Sequence, residues 1–343
     1  MTTPQATAAA TPNGEPGLVY VMPDDLDLAV QVALATGRPL LLRGEPGSGK
    51  SSMAPWYAEQ HGWRYYEFVV TSQTRARDLQ WSFDAVRRLA DAQALRYRPA
   101  RRGPGPRDRV GTTHDAYVDP GPLWWAFAPR TATRRARATI RAGAGRPRDS
   151  WEHPFEADNK GRHPDYAVVL IDEIDKADPD VPNGLLVPLA SRSFVVAETG
   201  ERVRVEEPRA GAPAGADATA RHLIVITTNE ERELPQAFLR RCVVARLRPP
   251  ATVDELALIA QRHLERRFGE ATEADITLAT ALAKQLADVR ERARRDGIRP
   301  PSTAEYLDAL WACRTLGITV SDADPRWKAL CDMTLVKPQQ LKD

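Results

Sequence analysis

Gly44-Glu45-Pro46-Gly47-Ser48-Gly49-Lys50-Ser51 decides how the rest of the chain is read. A glycine stands at each end of a four-residue spacer, followed by Lys and Ser, which is the pattern of a phosphate-binding loop, or P-loop. The apolar run Leu40-Leu41-Leu42 before it reads as a strand, and Ser52 to Gln60 after it can be helical. A triphosphate needs such a loop because its oxygens must be met by backbone N–H groups at close range. Side chains on Cβ would obstruct that approach, which accounts for glycine at 44, 47 and 49. Lys50 would then reach the β- and γ-phosphates, Ser51 would ligate Mg²⁺, and the following helix N-terminus would favour the negative charge. Glu45, Pro46, Ser48 and Ser52 complete the phosphate-contacting stretch.

Upstream, Leu26, Ala29, Val30, Ala33 and Leu34 recur at helical spacing between Asp24 and Thr36, and Gly37 would end that helix. Downstream, Tyr65 to Val70 is rich in aromatic and β-branched residues and reads as a second strand. Thr71 to Ala94 reads as a helix with Leu79, Phe83, Val86, Leu89 and Ala90 on one face. The next regular signal is Ala167-Val168-Val169-Leu170-Ile171-Asp172-Glu173. A continuous apolar run of this length suits a strand buried on both faces of a parallel sheet. Its two acids then lie at the carboxyl end, where ligands bind in open α/β sheets. Asp172 would hold Mg²⁺ through water, and Glu173 is placed to orient and deprotonate an attacking water. Alone, an apolar run ending in Asp-Glu says little; downstream of a P-loop it says much.

Phe194 to Val196 and Val203 to Val205 flank a turn at Glu198-Thr199-Gly200-Glu201 and read as a hairpin. After the Pro/Gly/Ala loop 208–220, Leu223 to Thr227 forms another buried strand that ends at Thr228-Asn229. Asn229 is open to two readings, a contact to the γ-phosphate or its water, and an ordinary turn Asn. Arg240-Arg241 precede the short strand Val243-Val244-Ala245; such a pair is either surface charge or, in a ring-forming nucleoside triphosphatase, an arginine finger reaching a neighbour's γ-phosphate. Pro249-Pro250 marks a boundary. Beyond it come capping boxes at Thr252/Glu255 and Ser302/Glu305. Helical spacing runs through Thr252–Arg267 and Thr277–Arg295, and a third helix, with Leu307, Leu310 and Trp311 facing inward, follows Pro300. A fourth short element or tail is expected from Asp324 to Asp343.

Composition narrows the classes. The chain has 343 residues and a formal net charge of +2, so no global basic excess announces nucleic acid. Only seven of its 48 basic residues are Lys. The arginines cluster in 96–109 and 130–148, around the apolar island Pro122-Leu123-Trp124-Trp125-Ala126-Phe127. These runs read either as a solvated loop or as a contact for nucleic acid or an acidic partner. Trp124 and Trp125 read as core or subunit-contact residues. Cys242, Cys313 and Cys331 support neither a disulfide framework nor a zinc site, and a reducing cytoplasm fits. His153 and His163 show no metal-ligand spacing. The first residues carry no signal-peptide pattern, and no apolar run approaches the length of a membrane span.

The order of P-loop, Asp-Glu-terminated strand, Asn-terminated strand, arginine pair and helical region resembles the AAA+ ATPases, and within them the MoxR branch and its dynein-related relatives. Ala33 to Gly47 is similar to that family's lead into the P-loop, Gly121-Pro122-Leu123 to the segment after its helix-2 insertion, and the hairpin around Gly200 to its pre-sensor hairpin. The resemblance implies an α/β P-loop core whose parallel sheet, flanked by helices, has strand order 5-1-4-3-2, plus a C-terminal helical lid. It implies a disordered tail over 1–16, a core over 17–248 with an insertion at about 80–165 and the hairpin at 193–205, and a lid over 249–343. By position, Lys50 and Ser51 match the Walker A pair, Asp172 and Glu173 the Walker B pair, and Asn229 sensor 1. Arg241 matches the finger, with Arg240 as the fallback. The family's sensor 2 arginine falls at Ala304, and Arg299 is the nearest substitute. Implied further are ATP and Mg²⁺, ATP hydrolysis in a homo-oligomeric ring, typically a hexamer, and a protein client or partner carrying a von Willebrand factor A domain. Two other classes stay open: a nucleic-acid-dependent motor or loader using the arginine-rich region, and an ATP-gated switch or scaffold in a bacterial defence or signalling module.

Overall fold

A computed structural model describes residues 19–96, 114–142, 154–208, 221–321 and 324–336. The tail expected over 1–16, the arginines between 97 and 113, those at 146 and 148, and most of the loop 208–220 lie outside the described residues. Contacts divide the chain into two compact units. One comprises 25–42 and 57–245; the other comprises 43–56, the chain from 246 onward and the segment before 25.

In the first unit, helix α1 (Asp24–Thr36) leads to strand β1 (Leu40–Arg43). Helix α2 (Lys50–His61) runs into this unit and is followed by β2 (Trp63–Val69), β3 (Trp81–Phe83), α3 (Ala85–Arg96), β4 (Val118–Pro120), α4 (Pro122–Phe127) and α5 (Pro129–Ala142). Then come α6 (Glu156–Asn159), β5 (His163–Asp172), α7 (Asp180–Ser191), β6 (Ser193–Val195), β7 (Arg202–Arg204), β8 (His222–Thr228), α8 (Gln236–Leu239) and β9 (Val243–Arg246). The main sheet is parallel and five-stranded, in the order β2-β5-β8-β1-β9. Counting only these five strands along the chain, that order is 5-1-4-3-2 read from the β9 edge. Central β5 and β8 pair with Ile171 opposite Ile226. Val168, Val169, Ile171, Val225 and Ile226 are fully buried, as a strand covered on both faces requires. β6 and β7 form the expected hairpin, with Phe194 opposite Val203. Its turn is anchored through Glu198, which accepts the Trp81 indole N–H at 2.7 Å and lies 3.8 Å from Arg77.

Two expectations are corrected. The helix read over Thr71–Ala94 is a 3₁₀ turn at Ala76–Leu79, then β3, and only then α3. Asp84 breaks the run: its carboxylate accepts the Arg87 N–H at 2.8 Å, an N-cap contact that starts a new helix there. Leu79 is buried by its 3₁₀ turn, whereas Val86 and Leu89 on α3 are 81% and 60% exposed, so they share no core face. Helical spacing alone could not distinguish these environments. The arginine run from 130, read with a solvated loop as one alternative, is helical through Ala142. Arg and Ala are good helix formers, Ala132 and Ala136 supply a buried i, i+4 stripe, and Arg135 pairs with both Asp115 and Glu201.

The apolar island is core. All six residues of α4 are buried, and Trp124 stands edge-on to Phe194. The carbonyls at its C-terminal end meet a buried cation: Arg64 donates to Trp125 O at 2.9 Å and to Ala126 O at 3.1 Å. A positive charge at a helix C-terminus is favourable, and here the carbonyls also satisfy a guanidinium withdrawn from water.

The second unit contains the helices α9 (Val253–Phe268), α10 (Glu273–Arg295), α11 (Thr303–Leu316) and α12 (Pro325–Leu335). Both capping boxes read from sequence are formed, and Thr272/Asp275 adds a third. Leu256, Leu264, Leu282, Leu286, Tyr306 and Leu310 make its core; Leu307 and Trp311, expected inward, are half-buried. Tyr306 turns inward because its hydroxyl donates to Ala279 O at 3.0 Å. No helix among the described residues is long and apolar enough to cross a membrane.

Trp124 is fully buried with its indole N–H bonded to Thr131 Oγ1 at 2.8 Å. Trp124→Ala is expected to lower unfolding stability by about 3–5 kcal/mol, measured by urea denaturation followed through the remaining tryptophans.

Candidate active site

The loop 44–51 joins β1 to α2, whose first residue is Lys50. Gly44 and Gly47 have φ of 152° and 78°, conformations that L side chains rarely adopt. A Cβ at Gly44 would also collide with the Leu247 carbonyl, and one at Gly47 with the Ser302 side chain. Lys50 is buried, and its ammonium donates to Gly44 O at 2.7 Å and Glu45 O at 2.8 Å. A loop of glycines closely approached by other backbone, a buried Lys and a helix N-terminus fit a phosphate chain. Ser51 follows Lys50 in the first turn of α2, where a metal-bound phosphate is held in such loops. Ser48 Oγ lies 3.5 Å from Lys50 Nζ.

In this same unit Arg299 is exposed, on the loop between α10 and α11. The buried guanidinium is Arg290, unremarked in the sequence, which donates to Pro250 O at 2.6 Å and Pro301 O at 2.9 Å. Burial holds its pKa below the usual arginine value. It ties the boundary at Pro249-Pro250 to the residue preceding Ser302, the N-cap of α11.

The carboxylates belong to the other unit. Asp172 ends β5, and Thr227 lies near the end of neighbouring β8. Because the two strands are parallel and in register, the Thr227 hydroxyl reaches both acids' positions. It donates to Asp172 Oδ1 at 2.5 Å and accepts the Glu173 N–H at 2.9 Å. Glu173 sits in the left-handed region (φ 59°), which costs a non-glycine residue about 1 kcal/mol or more and turns the chain sharply away from the strand. A 3₁₀ turn, Ile174–Lys176, follows.

Asn229 is brought to Glu173: its Nδ2 donates to Oε1 at 3.3 Å. Its backbone is held by buried Asp175, whose Oδ2 accepts the Asn229 N–H at 3.1 Å and the Glu231 N–H at 2.9 Å. Lys176 Nζ lies 2.5 Å from Glu173 Oε2, and this hydrogen bond holds the ammonium above its ordinary pKa. Thr227, Asp175 and Lys176 were not singled out from the sequence. The one available signal was the Asp-Glu-Ile-Asp-Lys run itself, which puts Lys three residues after Glu.

Arg240 and Arg241 are exposed at the start of β9, outside this network. Arg241 Nη1 donates to Ala237 O at 3.0 Å, and the Arg240 carbonyl accepts from Arg38 at 3.0 Å. Arg241 also lines a cavity of about 170 Å³ with Arg38, Pro39, Leu189, Phe238 and Cys242. Burial pushes the Cys242 thiol up to about 12, so it stays protonated at neutral pH.

Residues 124–242 match the family model of the AAA domain, dynein-related subfamily. The matched segment takes in Asp172, Glu173, Asn229, Arg240 and Arg241. No curated protein matches the chain. Among solved structures it is similar to a candidate ATPase from Cytophaga hutchinsonii, at 14% identity and a TM-score of 0.38, over 77% of this chain and 57% of that one. The chain thus spans little more than half the length of that structure. The family match supports an AAA+ ATPase, and the sheet order with its C-terminal helices is the α/β P-loop core and helical lid of that class.

Thr227→Val keeps the shape but removes the shared hydroxyl, leaving Asp172 Oδ1 and the Glu173 N–H each short of a partner. Stability should fall by about 1–3 kcal/mol in urea unfolding, whereas Thr227→Ser should retain most of it.

Proposed function

We propose that this chain is a MoxR-like AAA+ ATPase that binds ATP with Mg²⁺ and hydrolyses it within a ring oligomer to remodel or mature a partner protein. One observation carries the catalytic part: the adjacent acids Asp172 and Glu173 are joined to Thr227 and Asn229, more than fifty residues on, with Thr227 bonded to both acids and Asn229 to the Glu173 carboxylate. In this reading the backbone N–H groups of 44–51 and Lys50 bind the phosphates. Ser51 and Asp172 are the residues that would hold Mg²⁺, which would supply positive charge to the phosphates. Glu173 accepts a proton from the water that attacks the γ-phosphorus while the bond to the β–γ bridging oxygen breaks, releasing ADP and phosphate. Asn229 orients that water. Arg241, or Arg240 beside it, reaches the nucleotide of the neighbouring copy in a hexamer. The hairpin of β6 and β7 and the chain's arginine-rich insertion work on a client, with a von Willebrand factor A domain protein as partner. A cytoplasmic location suits ATP supply and the three thiols.

The alternative of a nucleic-acid motor loses part of its basis. Arg130 is paired with Glu206, and Arg135 with Asp115 and Glu201, so two arginines of that run are neutralised within the chain.

Glu173→Gln tests the proposal. ATP hydrolysis should fall by about 10²–10⁴, while ATP stays bound and the oligomer is trapped, as read by size-exclusion chromatography with light scattering and nucleotide extraction. A monomer without nucleotide would overturn it. Arg241→Ala should abolish hydrolysis but retain ATP binding, and mixing it with Lys50→Ala should restore turnover if the finger acts between copies. Stimulation of the wild type by DNA or RNA at low salt would favour the motor reading instead.

A further inference from the structure

Glu173 is held at both carboxylate oxygens. Oε1 accepts Asn229 Nδ2 at 3.3 Å, and Oε2 accepts Lys176 Nζ at 2.5 Å. The second contact is not needed to set the Glu173 backbone. Its N–H is already bonded to Thr227, and its carbonyl already accepts the Lys176 N–H at 3.0 Å, closing the 3₁₀ turn. The turn folds Lys176 back over Glu173, and the Lys side chain reaches the Glu carboxylate across it.

A carboxylate takes a proton from water only through an oxygen lone pair aimed at that water. An ammonium bonded to Oε2 is the shorter and stronger of the two contacts here, and it fixes the side-chain torsions as well as one oxygen. The contact is also reversible, because the Lys176 and Glu173 side chains are 43% and 28% exposed and solvent competes for both. The other acids near the ammonium are Glu231 and Asp175. Asp175 is buried, and its Oδ2 is committed to the N–H groups of Asn229 and Glu231. Glu231 is exposed.

We propose that Lys176 is a positioning residue that clasps Glu173 in a resting arrangement, and that turnover requires its ammonium to leave Oε2. This rests on the ATPase reading above. Asn229 keeps its contact to Oε1 throughout, so release frees one oxygen without loosening the other.

The test is steady-state ATP hydrolysis by the full chain with Mg²⁺. Lys176→Met, which keeps length without charge, should raise kcat roughly two- to fivefold with KM for ATP unchanged. Lys176→Arg should return kcat to the wild-type value. A merely structural Lys176 would not give a faster enzyme that a second cation slows again. Melting temperatures accompany each variant, with Lys176→Gln used if Lys176→Met does not fold. An unchanged or reduced kcat in a folded Lys176→Met protein whose wild type hydrolyses ATP overturns the clasp alone. No hydrolysis by either protein, with ATP bound, overturns the ATPase reading and the clasp together. Hydrolysis by Lys176→Met where the wild type shows none supports the clasp.

Discussion

The Thr227 hydroxyl holds two chain segments in fixed relation. It donates a hydrogen bond to Asp172 and accepts one from the Glu173 N–H, so the last residue of one strand and the residue after it are fixed by one residue on the next. The strength of this arrangement lies in what surrounds it. β5 and β8 are parallel, in register and buried on both faces, so neither strand can slide without breaking a whole ladder. The rigidity of an apolar sheet is thereby converted into the fixed position of the Asp172 side chain and the Glu173 backbone at its carboxyl end. The left-handed backbone at Glu173 is tolerated for the same reason, since the strain is spread over a hydrogen-bonded turn that the strand ends hold in place.

The phosphate loop meets a different constraint. Its glycines are required by backbone angle and by close packing, because Leu247 and Ser302 lie where Cβ atoms would be. Both come from the chain after β9, near the boundary that Arg290 fastens through Pro250 and Pro301. Loop, linker and the N-cap of α11 therefore belong to one compact unit, and a movement at any of them is felt by the others.

Polar contacts divide between structure and chemistry in a consistent way. Arg64 is spent on a helix end, and Arg130 and Arg135 on ion pairs within the chain. Lys176 and Asn229 are spent on a carboxylate that no element needs for its stability. Polar side chains that satisfy a helix terminus serve the fold; those converging on one half-buried carboxylate are arranged for something else.

Local chemistry made much of this legible in the chain itself. Glycine spacing, the buried run ending at Asp172-Glu173, the capping boxes at Thr252 and Ser302, and the hairpin turn at Gly200 all act over a few residues, and each formed as read. What failed was anything whose partner lay far away. The periodicity of 71–94 could not reveal that Leu79 and Phe83 serve a 3₁₀ turn and a strand, while Val86 and Leu89 face outward on a separate helix. Nor could the arginine run show that Asp115, Glu201 and Glu206 would neutralise part of it. Thr227 looked like the end of a strand, and Asn229 was as consistent with a turn as with a catalytic contact. Only strand order and register bring Thr227 to Asp172 and Asn229 to Glu173, because hydrogen bonds between residues more than fifty positions apart are set by the sheet and by no local propensity.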